Sequence, residues 1–208
     1  MANADPKLSN LTGLILAGGR GIRMGNVDKG LQDFGGQTMV EAVLQRFRPQ
    51  VATLMISANQ NIAAYAAFGH AVWPDEVGGF AGPLAGLHVG LMHCTTPWLV
   101  VVPCDSPFLP LDLVQRLCNA QQQNDFDIAV AVTGKGEQRQ VHAVFCLIRV
   151  SLLPHLSAYL ADGGRKVREW YRSLNVVEVP FKNGDPFRNI NTQDELRLCT
   201  PQAIGDQA

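Results

Sequence analysis

The residues from Leu16 to Lys29 read LAGGRGIRMGNVDK, and they hold the first chemistry legible in the chain. An apolar run, Leu11 to Ala17, leads into Gly18 and Gly19, two residues whose missing Cβ lets backbone N–H groups close on a ligand oxygen. Arg20, Arg23 and Lys29 follow as a local basic cluster, in a chain whose 17 Lys and Arg are set against 18 Asp and Glu. A glycine loop beside such a cluster has the chemistry of a triphosphate cradle. Two familiar phosphate motifs are excluded by spacing. Gly19, Gly21 and Gly25 give GxGxxxG, with Met24 where the dinucleotide fingerprint needs its third glycine. Lys29 stands between Asp28 and Gly30, whereas a Walker A loop has Gly before its Lys and Ser or Thr after it. A tight turn carrying solvated Arg and Lys is the plainer alternative.

Carboxylates and amides recur at similar places further on. Asp105 follows an apolar run in VVVPCDSP, where a single hard-oxygen ligand facing a triphosphate suits Mg²⁺; its alternative is a turn residue or the cap of a helix after Pro107. Asp75 follows another short run in AVWPD, and is otherwise an ordinary loop residue. Gly82 to Gly86, GPLAG, opens a helix with Pro83 at its first position and free amides that suit a base or an anion. In FRNINT, Asn189 and Asn191 precede a helix that Asn191 or Thr192 caps. His142 in VHAVFCL reads as a satisfied structural residue, and Arg165, Lys166 and Arg168 as a solvated helix start.

Alternating strand and helix patterns must position these groups. Strands are expected at Leu11–Ala17, Val51–Ala58, Ala71–Trp73 and Trp98–Val102, with helices at Thr38–Phe47, Asn61–Phe68, Leu84–Met92 and Leu111–Gln121. That order implies four parallel strands. Ile128–Thr133 and Val141–Arg149, joined by GKGEQ, then predict a hairpin and hence a mixed sheet. Helices at Leu152–Leu160, Lys166–Leu174 and Gln193–Leu198, with a strand at Val176–Val179, complete the pattern. The expected fold is α/β: a single-domain, three-layer, Rossmann-like arrangement with a mostly parallel mixed sheet and ligands at the carboxyl ends of its strands.

The 208 residues suit one domain, over 11–200, with a disordered extension at 1–10 and a disordered tail at 201–208. A net charge of -1 gives no basic excess for nucleic acid, and no run reaches the roughly 18 apolar residues of a membrane span. Five cysteines without a CxxC pair read as reduced thiols, which with no signal-peptide pattern points to a cytoplasmic protein.

The string LAGG, then RMG, then DK after the first strand resembles the signature of the molybdenum cofactor guanylyltransferases, and PCD, GPLAG and the NxNT segment resemble further motifs of that family. The resemblance implies transfer of GMP from GTP to the terminal phosphate of molybdopterin, or of its molybdenum-loaded form, with Mg²⁺ as cofactor. It implies nucleotide contacts at Leu16, Ala17, Gly18, Gly19, Asp75 and Gly82, phosphate contacts at Arg23 and Lys29, metal binding at Asp105, and a supporting place for Asn191. It also implies partners among cofactor-delivery or molybdoenzyme-maturation proteins. Relatives often carry Pro where Ala143 stands and Asn where Ser57 stands. Two other readings stay open, a cytidylyl or sugar-phosphate nucleotidyltransferase and a non-catalytic nucleotide-binding adaptor.

Overall fold

Strand β1 (Leu11–Leu16) shows why the sheet is covered on both faces: Leu11 and Ile15 join one apolar cluster, and Leu14 joins another on the opposite side. The structure is a computed structural model that describes residues 10–19, 27–76, 82–120 and 125–199. Six more strands follow, β2 (Thr53–Ser57), β3 (Ala71–Trp73), β4 (Trp98–Pro103), β5 (Ile128–Thr133), β6 (Gln140–Arg149) and β7 (Val176–Phe181). The seven form one sheet in the order β3-β2-β1-β4-β6-β5-β7. Strands β1 to β4 are mutually parallel as expected, and β5 and β7 run the same way, so β6 alone is reversed against both neighbours.

Helices α1 (Met39–Phe47), α2 (Ile62–Ala66) and α4 (Leu113–Asn119) lie over one face, where Phe47, Tyr65 and Leu113 are fully buried. Helices α3 (Pro83–His93), α5 (Leu153–Ala161) and α6 (Val167–Tyr171) lie over the other, burying Leu84, Leu156 and Trp170. The expected three layers are therefore present. Gly13 makes room for α1, since a Cβ there would sit 2.8 Å from the Phe47 ring. A capping box fixes the start of α1: Thr38 accepts from the Glu41 N–H, and the Glu41 carboxylate accepts from the Thr38 N–H at 2.6 Å. Helix α7 (Gln193–Cys199) closes a smaller cluster with Phe34, Met39 and Ile190.

Each expected element is present, with shifted ends that have local causes. Helix α2 starts at Ile62 because Asn61 is left-handed, with φ of 51°. Strand β7 runs on through Pro180 to Phe181, which an edge strand tolerates because one side needs no ladder donor. Arg23, residues 1–9 of the expected extension, and the expected tail lie outside the described residues. Among the described residues no helix is long and apolar enough to cross a membrane.

Candidate active site

The chain leaves β1 for β2 and β3 on one side, then returns to place β4 on the other side of β1, so the strand order reverses between β1 and β4. In open α/β sheets a crevice opens beyond the carboxyl ends of such strands. Here it is a cleft of about 240 Å³, with Leu16, Gly18 and Gly19 in its lining. Strands β4 and β6 stay paired only as far as Val101 and Cys146, and opposite β5 the pairing of β6 jumps from Cys146 to His142. This bulge brings Val144 to the cleft wall beside Pro103.

At one end of the cleft Asp75 is the one charged side chain among the described lining residues. Asp75 accepts from Ser57 Oγ at 3.1 Å and from Asn59 Nδ2 at 2.7 Å, while its own N–H donates to Asn59 Oδ1 at 2.8 Å. Gly18 is needed against this group, because a Cβ would approach Asn59 Nδ2 to 2.9 Å; at Gly19 a Cβ would meet open space. Gly82 turns the chain into α3 with φ of 58° and ψ of -143°, a conformation essentially confined to glycine. Pro83 and Gly86 then line the cleft with the first turn of the helix.

The other end is charged. Lys29 opens a single 3₁₀ turn, and its ammonium lies 3.3 Å from Asp105 Oδ2 and 2.7 Å from Asn191 Oδ1. Asn189 Nδ2 donates to Asp105 Oδ1 at 2.5 Å, and the Asp105 carbonyl accepts the Ile190 N–H at 2.8 Å. Burial pushes the Asp105 carboxyl above its usual range, while the Lys29 charge and the Asn189 hydrogen bond pull it back down. Its carboxylate has about four lone-pair sites, and these two donors leave part of them toward the cleft that Asp105 lines. Asp105 thus lies in a turn, as one alternative had it, but its side chain is engaged by Lys29 and Asn189, and the cap position of the following helix falls to Asp112. In the NINT segment Thr192 takes the capping role, accepting from the Glu195 N–H at 3.1 Å, and that leaves the Asn191 side chain for Lys29.

Leu16, Gly18, Gly19, Asp75, Gly82 and Asp105 all line this cleft. Lys29 and Asn191 join it through Asp105 and through each other. Ala17 differs: its N–H donates to the Ser57 carbonyl at 2.7 Å and its side chain is buried in the core, so it packs beneath the loop. His142 sits apart, buried, with Nε2 2.8 Å from Thr133 Oγ1 and its ring stacked on Phe187, as expected of a structural residue. Sequence reasoning missed Asn59, Asp28 and the contact of Asn189. Their signals were present as a polar residue just past a strand end, a carboxylate next to the candidate lysine, and an amide two residues before another.

The doubly wound order and a cleft at its reversal, with glycine loop, lysine and aspartate converging there, define the α/β nucleotidyltransferase class. A family model described as the MobA-like NTP transferase domain matches residues 13–178. The chain is 53% identical over 189 residues to a molybdenum cofactor guanylyltransferase of Cupriavidus necator, spanning 90% of this chain and 95% of that protein. It is 50% identical over 189 residues to one of Bordetella petrii, spanning 91% and 96%. Among solved structures, molybdopterin-guanine dinucleotide biosynthesis protein A of Archaeoglobus fulgidus superposes with a TM-score of 0.72 at 24% identity, over 91% of this chain and 96% of that one. A 2-C-methyl-D-erythritol 4-phosphate cytidylyltransferase of Thermus thermophilus shares the fold at a TM-score of 0.68 and 17% identity, over 90% and 96%. The chain belongs to the molybdenum cofactor guanylyltransferase family.

Proposed function

We propose that this protein transfers the GMP group of GTP to the terminal phosphate of molybdopterin. A phosphate oxygen of the acceptor forms a bond to the α-phosphorus, the bond to the β-phosphate oxygen breaks, and pyrophosphate leaves. The observation that carries the reading is the convergence of Lys29, Asp105 and Asn191 at the charged end of a cleft whose other end holds Asp75. No covalent enzyme intermediate is needed, so catalysis rests on positioning and charge.

In this reading the Gly18 and Gly19 backbone lies against the phosphates, with Ala17 packed beneath and Leu16 against the base. Asp75, an acceptor-only carboxylate held by Ser57 and Asn59, matches the N–H donors on the edge of guanine. Gly82 lets the start of α3 approach the nucleotide. Lys29 and Arg23 counter the charge that develops on the leaving pyrophosphate. Mg²⁺ fits the donor set: Asp105 offers hard carboxylate oxygen toward the cleft, and this ion commonly takes one or two carboxylates with substrate phosphates and water. Asp105 would hold it, and when bound it supplies neutralisation of phosphate charge. Asn191 keeps the Lys29 ammonium beside Asp105. The five free thiols suit a reducing compartment, and cytoplasmic residence is part of the proposal.

The test is pyrophosphate release with Mg²⁺ and molybdopterin, comparing GTP with CTP. Release with GTP and none with CTP is expected, and Lys29→Ala should lower turnover by about 10²-fold to 10³-fold. Equal use of CTP defeats the guanine assignment, and wild-type turnover in Lys29→Ala defeats the role of the lysine.

A further inference from the structure

Lys29 reaches Asp105 from a loop whose hold on the domain lies behind it. The preceding residue, Asp28, has its carboxylate gripped by three donors: the Tyr65 hydroxyl at 2.5 Å and the Gly30 N–H at 3.2 Å, both on Oδ1, and Asn61 Nδ2 at 3.1 Å on Oδ2. Tyr65 sits on α2 with none of its surface exposed, so it touches no substrate; its hydroxyl bears on the site through the Asp28 carboxylate. Gly30 shows how closely the loop is gauged. A Cβ there would lie 2.4 Å from Tyr65 Oη and 3.4 Å from Cys104 Cβ, so the backbone packs too closely against the phenol to carry a side chain.

We infer that Tyr65 is a positioning residue for Lys29, its hydroxyl acting through the Asp28 carboxylate to set where the ammonium stands relative to Asp105. The inference rests on the proposed phosphate role of Lys29. A ring without the hydroxyl leaves Asp28 Oδ1 with the long Gly30 N–H contact and Oδ2 with the Asn61 amide, so the two-residue path from Asp28 to the Lys29 side chain loses the shortest of its three ties. Burial holds the Tyr65 phenol far above its ordinary pKa, so it stays a proton donor at every working pH. The consequence falls on turnover, because the base end of the cleft is built from other residues.

The experiment is a double-mutant cycle on the full chain, with pyrophosphate release from GTP measured with Mg²⁺ and molybdopterin. Tyr65→Phe should lower kcat by about 10-fold to 100-fold while the KM for GTP stays within about 2-fold. In a Lys29→Ala background the same change should cost nothing further, because the lysine it positions is gone. Asp28→Ala, which removes the acceptor and leaves the buried tyrosine in place, should reproduce both results and carries the test if Tyr65→Phe unfolds. An unchanged kcat in Tyr65→Phe overturns the inference, as does an equal loss in both backgrounds, which would mark a purely structural role. A Lys29→Ala protein with normal turnover removes the phosphate role of the lysine itself, and the inference with it.

Discussion

Alanine at Gly86 sets helix preference against packing, and the structure says which wins. In the interior of a helix such as α3, Ala is favoured over Gly by about 1 kcal/mol. The added Cβ, however, would lie 2.7 Å from Ser57 Oγ and 2.8 Å from Leu16 Cδ2. Carbon contacts settle at roughly 3.5–4.0 Å, so both neighbours must move by about 1 Å. Ser57 is tied to Asp75, and Leu16 is fixed in the sheet, so the displacement passes into the Asp75 end of the cleft, where the proposed function places the base. Overpacking of this kind costs about 1–3 kcal/mol, which leaves Gly86→Ala between neutral and about 2 kcal/mol less stable. Gly90, one turn further along α3, supplies the control: its Cβ would meet Leu14 Cδ2 at 2.4 Å and Leu99 Cδ2 at 3.2 Å, both in the core. Gly86→Ala should therefore raise the KM for GTP by about 10-fold, equivalent to about 1.4 kcal/mol, while Gly90→Ala loses stability without that rise. Steady-state pyrophosphate release against GTP concentration, alongside urea unfolding, measures both. An unchanged KM in Gly86→Ala, or the same rise in Gly90→Ala, refutes the reasoning.

Two further expectations concern protons. Asn189→Ala removes a hydrogen bond that favours the charged form of Asp105, whose carboxyl burial already raises, so the acid limb of the kcat profile should move to higher pH. A limb that stays in place means that Asp105 ionisation does not control turnover. His142 is held down at about 4, by burial first and by the Arg168 charge second. Above pH 6.5 it is neutral in folded and unfolded chains alike; below that the unfolded chain takes up a proton that the folded one refuses, so stability falls until the pH reaches about 4. Urea unfolding should show a loss of about 2 kcal/mol between pH 7 and pH 5, much reduced in His142→Gln; equal losses in the two proteins would contradict it.

Local pattern carried the fold far. Val40, Val43, Leu44 and Phe47 at helical spacing, and unbroken apolar runs such as Trp98–Val102, report burial that depends little on distant partners. The reversal of β6 was half legible: GKGEQ announced a hairpin with β5, but nothing local says that β6 enters between β5 and β4. The site divides the same way. Gly18, Lys29 and Asp105 stood out because their types and places at strand ends carry chemistry, and all three meet at the cleft. Asn59 and Tyr65 did not, because an amide after a strand and a tyrosine among alanines mean nothing until a carboxylate from elsewhere is set against them. Whether Asn191 or Thr192 caps α7 was undecidable from spacing alone, since the answer depends on where Lys29 arrives.

The hydrogen bond from Lys29 to Asn191 joins residues 162 positions apart. A chain emerging from the ribosome can pair β1 with β2 early, yet Lys29 has no Asn191 to hold it until almost the whole domain has been made. A chain that stops before Asn191 lacks this hold on the lysine. If Lys29 has the phosphate role proposed for it, the group that holds its ammonium is then among the last parts of the domain to be synthesised.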